Sequence, residues 1–413
     1  MIRIEPNRIE GSLRAPPSKS VTHRAYLLAA QAGRPAVVAG PLRATDTDAT
    51  LAGLQRLGFR PTLEQDAVRF DPAPLMAPSQ AIDCRNSGTS LRFLAAAAAR
   101  LAVPVHFTGD ASLSRRTSVP LWKALRSLGV TVESHGGGLP VSLRGPLRAG
   151  QATLEAHVSS QFASGLLFSL PFLDTPSRVH LAAPIDSSPY LELSLAMARE
   201  QGLLVREEQT SRGRTWDIAP GRPKGGRIAV EGDWSSAAFL IAAGHLTGGS
   251  VQVEGLDAKS LQPDRSIVRL LAAASEGTER TFDVHACPDL FPILAVVAAF
   301  APGTTTFEGG TQLRNKETDR IAAMAEGLGR MGIRCDQRPD GLVVRGGKPR
   351  GADLRSHGDH RIHMALCIAA LAAQGASRID DEDTAAVSFP GFHETLARLG
   401  ARIFKADGRL EAS

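Results

Sequence analysis

The residues best suited to chemistry in this chain are cations set in short polar turns, each at the start of an apolar run. The first turn is Pro16-Pro17-Ser18-Lys19-Ser20-Val21-Thr22-His23-Arg24. Lys19 and Arg24 lie about one helical turn apart near a helix N-terminus, where a cation is disfavoured unless an anion sits beside it. Lysine offers a compact charge and arginine a planar fork, and both suit a phosphate or carboxylate. Three more basic turns follow: Arg115-Arg116 after Gly109-Asp110, then Arg314-Asn315-Lys316-Glu317-Thr318-Asp319-Arg320, then Gly358-Asp359-His360-Arg361. Lys316 and Arg320 are expected on one helix face at i,i+4, with Glu317 beside them. Asp289, between Pro288 and an apolar run, is either an N-cap or a base held close to a substrate.

These turns belong to a repeat. Six stretches share one layout, a polar turn followed by an Ala/Leu-rich run: SKSVTHRAYLLAA from Ser18, NSGTSLRFLAAAA from Asn86, SSQFASGLLFSL from Ser159, GDWSSAAFLIAA from Gly232, PDLFPILAVVAA from Pro288 and GDHRIHMALCIAAL from Gly358. Their starts lie roughly 55–75 residues apart. A second amphipathic segment follows each, and most of these end near a glycine suited to a C-cap. Short β-like runs such as VTVES, RIAVEG, VQVEG, TTTFEGG and GLVVRGG lie between. The pattern predicts an α/β protein of two halves with three strand–helix–strand–helix–strand units each. The first half is expected from Ser18 to Val230, and the second from Glu231 onward with residues 1–17. Each repeated helix starts with Ser, Thr, Asn, Asp or Gly, which caps free N–H groups. Several such starts aimed at one cleft between the halves would attract anions.

Length and composition agree. A chain of 413 residues exceeds one ordinary core. Apolar residues are 43% and charged residues 22%, as in globular proteins, but only 5% are aromatic, so Ala, Leu and Val must do most of the packing. The net charge of +5 and a pI near 9.3 admit anionic partners. The basic residues are scattered singly, without the interleaved aromatics of a nucleic-acid surface, which favours small multi-charged anions. Cys84, Cys287, Cys335 and Cys367 form no CxxC pair, so they read as free thiols rather than as a metal or redox motif. MIRIEPNRIE lacks the apolar core of a signal peptide, and Leu290–Phe307 is broken by Pro292, Pro302 and Gly303. The expectation is a cytoplasmic protein. No P-loop, dinucleotide fingerprint, HExxH or EF-hand loop appears.

Taken in order, SKSVTHRA, NSGTSLRF, GDASLSRR, SSQF, SSPY, EGDWSSAAF, CPDLFP, RNKETDRI, GDHRIHMA and SFPGF resemble the motifs of the EPSP synthase family, the 3-phosphoshikimate 1-carboxyvinyltransferases, over nearly the whole chain. The resemblance implies two similar domains of three βαβαββ units, an inside-out α/β barrel arrangement, with no metal or organic cofactor. A monomer is expected because each half supplies part of one cleft. It implies transfer of the enolpyruvyl group of phosphoenolpyruvate to the 5-hydroxyl of shikimate 3-phosphate, by addition and elimination through a tetrahedral ketal.

Residue roles follow from the same resemblance. Lys19, Ser20, Arg24, Ser159, Ser160, Gln161, Ser187, Tyr190, Asp289, Gln312 and Lys316 would hold shikimate 3-phosphate. Lys19, Asn86, Gly88, Arg116, Gln161, Arg320, His360 and Arg361 would hold phosphoenolpyruvate. Asp289 is the expected base on the 5-hydroxyl, with Lys19 and Glu317 handling protons at the methylene carbon. The chain departs from the family pattern at Pro17, in place of a glycine, at Thr117, at Gln312 and at Val387, where some members carry a lysine. Gly88 keeps the pocket open for glyphosate, an analogue competing with phosphoenolpyruvate.

Two other readings compete. The sister enzyme acting on UDP-N-acetylglucosamine typically has Lys-Asn in the first motif and a cysteine in a loop of its first domain. Here the motif is Lys19-Ser20, and Gly109–Pro120 holds no cysteine. A basic RNA-binding module of related architecture is disfavoured by the acid–base candidates Asp289 and Glu317.

Overall fold

Strand pairing repeats with one signature along most of this chain. The computed structural model describes residues 1–155, 159–183, 185, 188–381, 383–405 and 408–410. They form two units, Pro17–Glu231 and Met1–Pro16 with Gly232–Ser413.

In the unit Pro17–Glu231, three four-stranded sheets share one topology. Ile82–Asp83 runs parallel to Pro104–Thr108, which pairs antiparallel with Val141–Arg144, and Thr131–Ser134 closes the edge. Gln151–Glu155, Ser177–Ala182, Gly213–Ile218 and Val205–Thr210 repeat that order. In the third sheet, Ala36–Ala39, Ala67–Phe70 and Pro61–Leu63 take their parallel partner from the far end of the unit, Gly226–Ala229. Gln151–Glu155 and Pro104–Thr108 alternate exposed and buried residues along their length, as a sheet covered on one face must.

The other unit uses the same theme with two changes. Glu279–Asp283, Thr304–Glu308, Gly341–Arg345 and Arg334–Arg338 form the standard sheet. Asp353–Leu354, Ser377–Ile379, Arg402–Lys405 and Gly408–Arg409 form another, into which Ile2–Glu5 inserts antiparallel between the second and third. One repeat is abbreviated: Gly11–Arg14 and Val251–Glu254 pair parallel, and helix Ile267–Ala274 follows with no hairpin before Glu279.

The helices that follow the polar turns form the cores. Lys19–Ala30, Gly88–Ala98 and Ser160–Leu167 in one unit, and Trp234–Thr247, Phe291–Phe300 and His360–Ala372 in the other, are buried on nearly every face. That agrees with their all-round apolar sequences. The last three pack pairwise on one another. Small residues permit the approach: a Cβ on Gly165 would stand 2.8 Å from the Arg92 carbonyl and 3.3 Å from Ala96 Cβ. Leu290–Phe307 resolves into helix Phe291–Phe300, a turn and strand Thr304–Glu308. Among the described residues no helix is long and apolar enough to cross a membrane.

The polar turns cap these helices as expected. Ser18, Ser87, Ser159, Asp233 and Asp359 each accept a hydrogen bond from a backbone N–H of the first turn. Replacing the buried Asp233, which accepts from Ser236 N at 2.9 Å, with alanine should cost about 1 kcal/mol. A lower urea midpoint with unchanged slope for Asp233→Ala, largely restored in Asp233→Asn, is the expected result.

Candidate functional site

In the unit Pro17–Glu231 the predicted residues gather at the starts of three helices. Lys19, the first residue of helix Lys19–Ala30, pairs with Asp46 at 3.0 Å, both largely buried. One turn on, Arg24 lies inside the unit, 2% exposed. Its guanidinium donates to Ser194 Oγ at 2.8 Å, to the Ser20 carbonyl at 2.8 Å and to the Tyr190 carbonyl at 3.2 Å. Burial pushes Arg24 down to about 10, against an opposing effect of Tyr190. Arg24 therefore fixes the backbone of Ser20 and Tyr190 rather than presenting a solvated charge. Burial, and then the charges of Lys19 and Arg24, also hold His23 well below its ordinary value, a sign that this helix start is electropositive.

A second group surrounds Gly88. Arg116, 8% exposed, donates to Asn86 Oδ1 and to Ser112 Oγ, and Asn86 in turn donates to Asp110. Arg92, one turn beyond Gly88 on its helix and also 8% exposed, donates to Gln161 Oε1. Gln161 Nε2 donates to Thr89 Oγ1 at 2.9 Å. The two guanidinium groups converge on Gly88: a Cβ placed there would meet Arg92 Nη1 at 2.9 Å and Arg116 Nη1 at 3.6 Å. The amide oxygens of Gln161 and Asn86 and the hydroxyl of Ser112 orient these forks. Ser159 caps the helix carrying Ser160 and Gln161, and Ser160 is buried. Ser187 lies outside the described residues.

In the other unit the predicted residues form an ion cluster. Arg320 is 1% exposed. Its Nε donates to Asp359 at 2.8 Å, its Nη1 to Asp289 at 2.9 Å and its Nη2 to Glu317 at 2.7 Å and Asp359 at 3.3 Å. Burial opposes this charge, but Asp359, Glu317 and Asp289 outweigh it and hold the guanidinium ionised. Asp289 also faces Arg361 at 3.2 Å and Lys316 at 3.9 Å. Lys316 is held below its ordinary value by desolvation, partly offset by Asp289. Its side chain keeps 29% exposure. His360 begins helix His360–Ala372 and is buried. Gln312 is buried in the turn Thr311–Asn315, and neither amide atom has a hydrogen-bond partner among the described residues.

Two sequence expectations change here. Lys316 and Glu317 do not share a helix face with Arg320. Asp319 caps the helix at Ala322 N, so the helix begins at Arg320 and Lys316 sits in extended backbone before it. A well-placed cap outcompeted the i,i+4 reading. Asp289 is not a cap: it lies in the turn Pro288–Leu290, and its carboxylate is taken up by Arg320, Arg361 and Lys316.

Four residues escaped the sequence reading. Arg92 was legible, since it follows Gly88 by four residues on a helix. Asp46 and Asp359 looked like helix-start acids, and only packing shows them paired with Lys19 and Arg320. Asp264 carried no signal. It is fully buried and accepts from Ser235 Oγ. Burial, and then the charge of Asp289, push its carboxyl up to about 7, against Arg361.

The chain's relatives decide what this arrangement belongs to. The family description EPSP synthase (3-phosphoshikimate 1-carboxyvinyltransferase) matches residues 4–396. The chain belongs to the EPSP synthase family. The 3-phosphoshikimate 1-carboxyvinyltransferase of Methanocorpusculum labreanum is 38% identical over 418 residues, covering 96% of this chain and 98% of that one. The enzyme of the same name from Halobacterium salinarum is 39% identical, with the same two coverages. A solved EPSP synthase from Acinetobacter baumannii superposes with a TM-score of 0.79 at 30% identity, over 98% of this chain and 99% of that one. The two-domain α/β architecture is thus the family's.

Asp264 yields a pH prediction. A carboxyl whose folded value lies near 7, above its ordinary 3.8, favours the folded state when protonated. That contribution is complete below about pH 3.8 and is lost as pH rises through 7. Asp264→Asn should therefore gain stability relative to the parent between pH 5 and pH 8 in urea unfolding. A constant difference across that range would contradict the assignment.

Proposed function

We propose that the two residue sets serve one reaction on one pair of anionic substrates. The enzyme is a 3-phosphoshikimate 1-carboxyvinyltransferase: it moves the carboxyvinyl group of phosphoenolpyruvate to the 5-hydroxyl of shikimate 3-phosphate and releases phosphate. The observation that carries the reading is the convergence of two buried forks, Arg92 and Arg116, on Gly88. A small ligand bearing both a carboxylate and a phosphate can satisfy both forks at once.

In this reading Lys19, Asn86, Gly88, Arg116, Gln161, Arg320, His360 and Arg361 bind phosphoenolpyruvate. Ser20, Arg24, Ser159, Ser160, Ser187, Tyr190, Gln312 and Lys316 serve shikimate 3-phosphate. Arg320 makes four hydrogen bonds to carboxylates, and a guanidinium has five N–H donors, so one remains for a ligand. Lys316 has the longest of the contacts to Asp289 and the most exposed of those cations, so it is the easiest to transfer to a substrate phosphate.

The chemistry needs a base at the 5-hydroxyl and an acid at the methylene carbon. Asp289 is the base: its carboxylate is fixed by three cations and buried enough to meet a substrate without water between. Lys19 and Glu317 handle the protons at the methylene carbon. The hydroxyl oxygen bonds to C2 as the methylene takes a proton, giving the ketal; loss of a methyl proton and of phosphate restores the double bond. The surrounding guanidinium groups stabilise the charge that builds on the phosphate and carboxylate. The protein works as a monomer in the cytoplasm, and the reaction itself uses no metal or organic cofactor.

Phosphate release from phosphoenolpyruvate should require shikimate 3-phosphate; release that ignores the second compound would refute the reading. Asp289→Ala and Lys19→Ala should each lower kcat by about 100-fold or more, with unchanged circular dichroism. Glyphosate should inhibit competitively with phosphoenolpyruvate. In Gly88→Ala the new methyl pushes Arg92 aside, so the inhibition constant should rise by roughly tenfold or more, about 1.4 kcal/mol. An unchanged constant would remove Gly88 from the pocket.

A further inference from the structure

Helix His360–Ala372 carries two different groups. Its first turn joins the ion cluster, while His363 and Cys367, four residues apart, share another face. Helix Phe392–Arg398 brings His393 against that face. All three side chains are buried. His363 Nε2 lies 2.9 Å from His393 Nε2, and Cys367 Sγ lies 3.9 Å from the same nitrogen. One ligand atom from each residue falls within 4.8 Å of the others. The rings meet at 74° with centroids 5.1 Å apart, so the nitrogens, not the ring faces, point at one another.

We propose that His363, Cys367 and His393 form a buried site for a thiophilic transition-metal ion of the Zn(II) class. The donor set is right for such an ion: two imidazole nitrogens and a thiolate. With metal–nitrogen bonds of about 2.0–2.1 Å and metal–sulfur bonds of about 2.3 Å, ligand nitrogens sit about 3.3 Å apart and nitrogen and sulfur about 3.6 Å apart. The rings need to open by about 0.4 Å, and the sulfur to close by about 0.3 Å on His393 and by up to about 1.2 Å on His363, whose ligand atom lies within 4.8 Å of it.

The protonation of the two imidazoles favours the site, and that of the thiol opposes it. Burial pushes His363 down to about 4 and His393 to about 3, so both rings are neutral at neutral pH and have lone pairs to give. Burial pushes the Cys367 thiol up, so the metal must displace its proton. On binding, sulfur loses one proton to solvent and bonds the ion. The N–H between the rings moves to the far nitrogen of one ring, and one proton is released per ion. The charges of Asp380 and Asp381 act on His363 and favour a cation there, while Lys405 acts on His393 and opposes it. Cysteine spacing excluded a metal motif because two of the three ligands are histidines and the third element lies 26 residues downstream.

The test uses the full chain, stripped with chelator and titrated with Co(II). One equivalent should bind, with a thiolate charge-transfer band in the near ultraviolet and one proton released. Zn(II) should displace it. Cys367→Ala should lose the band, and His393→Phe should bind at least tenfold more weakly, while kcat stays at the parent value because none of the three touches a substrate. If His393→Phe fails to fold, Cys367→Ala still decides, since alanine fills a thiol's place with little disturbance. Absence of stoichiometric uptake, or a Co(II) spectrum unchanged in Cys367→Ala, overturns the site and leaves a neutral imidazole pair joined by one hydrogen bond.

Discussion

A guanidinium with 1% exposure needs acceptors to replace its lost water, and Arg320 finds three carboxylates. Breaking such a buried arrangement by removing one partner is far costlier than losing a surface pair. The three acids come from separate places: Asp289 from the turn before helix Phe291–Phe300, Glu317 from the loop before helix Arg320–Arg330, and Asp359 from the cap of helix His360–Ala372. Neutralising one charge therefore fixes three helix starts relative to one another. It also decides where Asp289 can present its carboxylate, and with it the reach of Lys316 and Arg361.

The two units solve the problem of buried charge in different ways. Around Arg320, cations and carboxylates balance: Arg320, Arg361 and Lys316 face Asp289, Glu317 and Asp359. Around Gly88, the neutral amides of Gln161 and Asn86 orient Arg92 and Arg116. Such forks are held in place, since Asn86 and Gln161 are themselves tied to Asp110 and Thr89.

Repetition explains how a sequence poor in aromatics achieves this placement. Five of the polar turns cap a helix by a side chain, and the alanines and glycines of these helices let neighbours approach closely, as Gly165 does against the Arg92 carbonyl. The cap is structural in every case described, and it also sets the direction of the next side chain along. Lys19 follows Ser18, Gly88 follows Ser87, Gln161 follows Ser159 and Ser160, and His360 and Arg361 follow Asp359.

The helix runs, the strands between them, the basic turns and the family motifs were legible in the chain itself, because periodicity and capping chemistry are local. Partnership was not local. Asp46 and Asp359 look like ordinary caps until folding sets them against Lys19 and Arg320. Asp289 could have been a cap, and only the approach of Arg320, Arg361 and Lys316 excludes it. Lys316 lost its predicted helix face to the nearby cap at Asp319. Asp264 and the His363–Cys367–His393 trio had no sequence signature at all, since their meaning depends on burial and on groups distant along the chain. Local chemistry determined which residues could act; which charges are neutralised, and by what, was decided by tertiary contact, because desolvation and pairing exist only once the chain has folded.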